Sequence, residues 1–242
     1  MYTQNELKDL NMIDSLNSTI FIKNELKNSN QIDSLDSTIY INKSNDSISQ
    51  YLIHYWPFNG NYLDVITNKS LYNLNKASLT TDRFGRNSSS LKLNYGNLQA
   101  QDGIYFYGDF TLTTWVKMYA LNATVRFFKM IAQSGTSLLF CLTFSANTGP
   151  FYAFSNGNQA ANTSLTIGKW QHLAYTIKGT TLSIYIDGLC VYTGFTSQIS
   201  PQVFNSVYFG YPYSPYVDLD DVKIYNRSLT QSEIIQSSLI NL

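Results

Sequence analysis

Two tyrosine-rich stretches concentrate the side chains best suited to bind something. "GYPYSPY", residues 210–216, places Tyr211, Tyr213 and Tyr216 in one loop held by two prolines, and "GIYFYGDF", residues 103–110, offers Tyr105 and Tyr107. A tyrosine ring stacks on a sugar or packs on a partner, and its hydroxyl hydrogen-bonds at the rim. The same residue type also fills cores, and part of the 19 Tyr and 14 Phe must do so. Acid–base chemistry has less to work with. Glycoside hydrolysis needs two carboxyl groups across the scissile bond, and the chain has three Glu: Glu6, Glu25 and Glu233. His172 sits in the strand-like run "WQHLAYTIKG" and suits a structural role better than that of a general base. There is no glycine-rich phosphate loop and no nucleophile elbow. Two Cys and two His do not make a zinc site of the usual spacing. A non-catalytic protein is expected.

Composition narrows the partners. Lys+Arg and Asp+Glu are both 16, a formal net charge of zero. A nucleic-acid binder needs a basic footprint, so nucleic acid is not an expected partner. No apolar run reaches the 18 or so residues of a membrane span. The opening "MYTQNELKDL" lacks an apolar signal-peptide core, so no export signal is expected in the chain as written. Cys141 and Cys190 each lie in a strand-like run, compatible with one disulfide or with two buried thiols.

The elements that must position these residues divide at Gln50. Residues 1–50 contain no Gly, Pro, Cys, Trp, Ala or Val, whereas all 13 Gly and all 5 Pro fall in 51–242. Beyond the boundary, short β-rich runs alternate with turns: "LIHYWPF", "SLKLNY", "FTLTTWVKM", "VRFFKMIAQ", "LLFCLTFS", "WQHLAYTIKG", "TLSIYIDG", "SVYFGY" and "VDLDDVKIYN". Such spacing predicts an all-β sandwich. Asp187-Gly188 reads as a tight hairpin turn, and Trp115 and Trp170 are large enough to fill space between sheets. In the last strand Leu219, Val222 and Ile224 alternate with polar residues, interrupted by Asp220-Asp221. Thr230 and Glu233 form a capping box ahead of one short C-terminal helix.

Taken in order, these runs resemble the laminin-G-like branch of the concanavalin-A-like lectin/glucanase jelly rolls. "HYWPFNGNYLDVITN" is similar to the family's aromatic opening strand and following Asp. "RFGRNSSSLKL", "FTLTTWVK", "GKWQHLAYTIKGTTLSIYIDG" and "LDDVKIYNRSLTQSEI" are similar to its later strands, Asp-Gly turn and closing strand and helix. The resemblance covers about 51–236 and implies a two-sheet antiparallel jelly-roll sandwich. It also implies calcium as an optional ion, with Asp64, Asp220 and Asp221 at positions where relatives place ligands; the alternative is that they serve turns and strand ends. The family's glucanases use paired acids on one strand in an E-x-D-x-E arrangement, which is absent. No cofactor is required on this reading.

The arm, 1–50, repeats itself. Residues 5–23 aligned on 24–42 give 13 identities in 19 positions. The kept part ends in strand-like "STIFI" and "STIYI", with Ile20, Phe21, Ile22 and Ile39, Tyr40, Ile41 as candidate assembly strands. An extended arm with two such strands could add them to the sheet edges of neighbouring subunits, and head-to-tail donation closes rings or grows filaments. The expected function is therefore a structural glycoprotein that self-assembles into filaments, its partners copies of itself. The alternative is a glycan-binding lectin or adhesion module with the arm as tether. Eight sequons, at Asn17, Asn42, Asn45, Asn68, Asn87, Asn122, Asn162 and Asn226, suit N-linked glycans and an extracellular or cell-surface setting.

Overall fold

A computed structural model describes residues 20–23, 38–41, 48–119, 125–126, 128–132, 141–145, 149–154, 157–160, 163, 165–196, 203–210 and 216–240. The chain divides into two compact units, residues 1–50 and 51–242. In the first, β1 (Ile20–Lys23) and β2 (Thr38–Ile41) form an antiparallel pair with Ile20 opposite Ile41 and Ile22 opposite Ile39. The two repeat cores thus pair with each other. This differs from the expected docking of each core on a neighbour, and the physical reason is proximity. Residues 24–37 tether the strands, so pairing within one chain competes at a high effective concentration.

The second unit runs β3 (Leu52–Trp56), β4 (Leu63–Asp64), β5 (Lys69–Ser70), β6 (Tyr72–Thr80), β7 (Ser90–Ala100) and β8 (Phe110–Met118). It continues through β9 (Val125–Arg126), β10 (Phe128–Ala132), β11 (Cys141–Ser145), β12 (Gly149–Phe154) and β13 (Gly157–Ala160). It closes with β14 (Trp170–Lys178), β15 (Thr181–Ile186), β16 (Leu189–Phe195), β17 (Phe204–Phe209), β18 (Val217–Tyr225) and helix α1 (Gln231–Leu239). The large sheet has the order β10-β17-β7-β18-β8-β14-β15-β16, with β3 on β18 and β6 on β7. A smaller sheet has the order β13-β12-β11-β9, and β4 pairs β5. All pairings are antiparallel. The molecule is an all-β jelly-roll sandwich with one short C-terminal helix.

Period-two alternation explains the layering. Leu91, Leu93, Val116, Met118, Leu173, Tyr175, Leu182, Ile184, Val217 and Leu219 all point to the core face and are buried. Each such aliphatic side chain contributes about 1.5–3 kcal/mol when fully buried. The alternate residues form the outer face, and β18 is buried along its whole length because that face is covered too. Helix α1 lies over part of it: Tyr225 Oη pairs with Ser237 Oγ at 2.8 Å, and Lys223 Nζ donates to the Ser237 and Ile240 carbonyls at 2.9 and 2.6 Å. The capping box at Thr230 and Glu233 starts that helix. Asp187 and Gly188 both have positive φ, as a tight two-residue hairpin requires.

Cys190 is a free, exposed thiol on β16, the terminal strand of the large sheet, and Cys141 lies in β11 of the small sheet. No helix of the described residues is long and apolar enough to cross a membrane.

Candidate functional site

A cleft of about 240 Å³ is lined by Ile53, His54, Thr67, Lys69, Gln101, Asp102, Gly103, Ile104, Tyr105 and Tyr107. Its position follows from three local structures. β3 supplies His54 and Trp56, two residues apart and therefore on one side of the strand. Their rings stack at 5.4 Å, 5° from parallel, and Tyr105 stacks on His54 at 4.5 Å. The β4–β5 turn supplies Thr67 and Lys69 and is organised by Asp64. One Asp64 oxygen accepts from the backbone N–H of Tyr55 and of Ile66, each at 3.0 Å; the other binds Thr67 Oγ1 at 2.6 Å and His54 Nδ1 at 2.7 Å. Burial pushes the Asp64 carboxyl up, but the hydrogen bonds from His54, Thr67 and Tyr55 outweigh it and hold it below its ordinary range. The third wall, 101–107, is fastened to β17 by reciprocal Gly103–Phe204 backbone hydrogen bonds of 3.0 and 2.9 Å.

Tyr105 and Tyr107 therefore have separate parts. Tyr105 is only 4 % exposed and donates its hydroxyl to the Gln101 carbonyl, so it is a fixed wall; burial raises its phenol further out of the ionising range. Tyr107 is 64 % exposed at the mouth. Lys69, Gln101 and Asp102 form an exposed polar rim. Aromatic walls with a few polar groups at the edge describe a pocket for a small polar ligand with an apolar face. Of the lining residues, only Asp102 carries a carboxylate.

The other aspartates are elsewhere and already engaged. Where β18 exchanges its neighbour β7 for β3, the ladder shifts register between Asp220 and Lys223, and Asp221 adopts φ 49°. This bulge is why Asp220-Asp221 breaks the alternation. Arg83, from the β6–β7 connection, forks across the pair: one amino group donates to Asp220 and the other to Asp221 at 2.6 Å. Tyr55 donates its hydroxyl to Asp221, and the guanidinium lies over Trp115 at 4.9 Å. Burial, then the Asp221 charge, pushes Asp220 up to about 7 despite Arg83. His172, in contact with Trp115 at 5.3 Å, is pushed down to about 3 by burial and by Lys223 and Arg83, so it is a neutral core residue. Among the described residues no three His, Cys, Asp or Glu come together as a metal site, and the calcium expectation finds its three aspartates in two separate hydrogen-bonded settings.

Of the remaining candidates, Tyr216 is exposed, and Asn68, Asn87 and Asn226 are exposed sequons. Tyr211, Tyr213, Asn17, Asn42, Asn45, Asn122 and Asn162 lie outside the described residues. His54, Thr67, Lys69, Gln101 and Asp102 were not legible as site residues. His54 carried a signal, since it stands two residues before Trp56 in the aromatic opening strand.

A family model of the concanavalin A-like lectin/glucanases superfamily, of laminin-G type, matches residues 87–235, and the chain belongs to that superfamily. No curated protein matches. Among solved structures, the binding domain of Paraclostridial Mosquitocidal Protein 1 is similar at 16 % identity and TM-score 0.63, over 78 % of this chain and 52 % of that one. Trypanosoma rangeli sialidase is similar at 20 % identity and TM-score 0.60, over 77 % and 32 %. Domain 4 of the GH43 extracellular arabinanase AbnA from Geobacillus stearothermophilus, solved with arabinotriose, is similar at 19 % identity and TM-score 0.55, over 77 % and 97 %. This chain thus spans about half of the first structure, a third of the second and nearly all of the third. At these identities the likeness is one of fold.

Proposed function

We propose that the protein is a non-catalytic carbohydrate-binding module of the cell exterior, and that it holds a saccharide in the cleft between β3, the β4–β5 turn and residues 101–107. The observation that carries this reading is the cleft itself: a rigid aromatic wall, His54 on Tyr105, beside an exposed ring and a polar rim. A pyranose or furanose has the matching character, with apolar C–H faces and hydroxyls around its edge. The arabinotriose held by the arabinanase domain supports the ligand class by analogy of fold. The non-catalytic part of the proposal is supported by the carboxylates. Hydrolysis needs two across one bond, whereas the cleft lining has Asp102, Glu233 is engaged by Arg227, and Asp220 and Asp221 are engaged by Arg83.

Calorimetric titration with arabinotriose and with sialyllactose, followed by a glycan array, tests it. Native protein should bind at least one saccharide without cleaving it. Tyr107→Ala and Lys69→Ala, both at exposed positions, should weaken binding about tenfold, near 1.4 kcal/mol, with unchanged melting. Absence of binding to every glycan, or indifference to both substitutions, would sink the proposal.

A further inference from the structure

The outer face of the large sheet carries a second set of side chains that shares no residue with the cleft. Asp218 of β18 stands opposite Lys92 of β7 on one side and Lys117 of β8 on the other. Their chain neighbours Leu91, Leu93, Val116, Met118, Val217 and Leu219 fill the core, so alternation places the Lys-Asp-Lys row on the outside. Tyr119 follows β8 and leans back over this row. Its hydroxyl donates to Asp218 Oδ2 at 2.5 Å, and the Lys92 and Lys117 ammonium groups lie 5.9 and 5.3 Å from its ring centre. Tyr216 is tied to it by the Tyr119 N–H donating to the Tyr216 carbonyl at 3.4 Å, and Tyr95 meets Tyr216 edge-on at 5.8 Å. Tyr95, Tyr119 and Tyr216 are 49, 41 and 43 % exposed.

The charges do not balance. Two ammonium groups converge beside one ring, and neither forms an ion pair among the described residues. The one carboxylate in the row, Asp218, is 2 % exposed and capped by Tyr119. Burial raises its pKa, while the Tyr119 hydroxyl and the Lys92 and Lys117 charges on either side favour its ionised form. The row therefore sets two ammonium groups against one buried carboxylate, an excess of positive charge framed by three aromatic rings on a molecule whose formal net charge is zero. Like charges held together are relieved by an anion near them, and exposed rings beside them offer a stacking surface.

We propose that this face is a second saccharide site, selective for acidic sugars: a carboxylate or sulfate ester lies on the solvent side of Lys92 and Lys117, and the ring that bears it packs on Tyr216 and Tyr95. Affinity electrophoresis of the full chain tests it, in gels containing dextran sulfate, hyaluronan or neutral dextran. Retardation by dextran sulfate identifies a sulfate site, by hyaluronan a carboxylate site, and by both a general oxyanion site; dextran should retard nothing. Lys92→Gln with Lys117→Gln should cut the retarding affinity at least tenfold, Tyr216→Ala should weaken it further, and the effect should fade with added salt as exposed charges are screened. Tyr107→Ala, in the cleft, should leave it unchanged, so the two sites can fail separately. Equal retardation by neutral dextran, an unaffected double variant, or capture only by phosphatidylserine vesicles would each overturn the proposal.

Discussion

Arg83 is held between two adjacent carboxylates and an indole, at 6 % side-chain exposure. Removing one partner of a buried ion pair costs about 3–5 kcal/mol, because the other charge stays behind. Arg83→Gln should destabilise by that order at pH 8. The loss should shrink toward pH 5, where Asp220, already pushed up to about 7, takes a proton. A loss independent of pH, read from urea midpoints, would show that the charge is not what Arg83 contributes. His172 runs the other way. Its folded pKa lies near 3, below the ordinary 6.5, so the unfolded chain binds the extra proton between those values. Stability is then lost as pH falls from 6.5 toward 3. His172→Phe keeps a ring against Trp115 and should flatten that acid limb of the melting curve; an unchanged limb would place the acid sensitivity elsewhere.

The elements were legible where composition and period agreed. β8, β14, β15 and β18 carry alternating apolar residues, and α1 announces itself through its capping box. β6 was not read as a strand, and β16 was marked only by the strand-like run around Cys190. β6 mixes Asn into its run and shifts register twice against β7, while β16 is an exposed terminal strand with no buried face. The cleft was half legible: Tyr105 and Tyr107 announced one wall, but Thr67 and Lys69 reach it only through the fold of the β4–β5 turn. The 187–188 hairpin offers a test at this scale. Gly188 has φ 79°, and a Cβ there would lie 2.6 Å from Ile235 Cγ1 on α1. The left-handed backbone costs a non-glycine residue about 1–2 kcal/mol. Gly188→Ala should therefore melt about 2–8 °C lower, and Gly188→Asn should lie between alanine and native. Because Ile235 is itself half-exposed and free to shift, adding Ile235→Ala should not restore the melt. Full restoration would assign the cost to packing instead of the turn.

At the scale of the whole molecule, the repeated arm decides between a binding module and an assembling subunit. Strand donation needs each repeat core to keep a free edge for another chain, yet Ile20–Lys23 and Thr38–Ile41 spend one edge each on their own partner. Pairing within one chain acts at an effective concentration on the order of millimolar, far above the concentration of a second chain in dilute solution. An intermolecular pairing must overcome that advantage with contacts the hairpin lacks. Light scattering on the full chain and on residues 51–242 reads the outcome. Each chain is expected at its own monomer mass at micromolar concentration, with saccharide binding retained by the shorter chain, because every residue of the cleft and of the Lys92–Lys117 face lies beyond Gln50. Filaments from the full chain that vanish with the arm would reverse that order of strengths. The hairpin would then be a resting state that opens to donate its strands, and saccharide binding would belong to a surface displayed along a polymer.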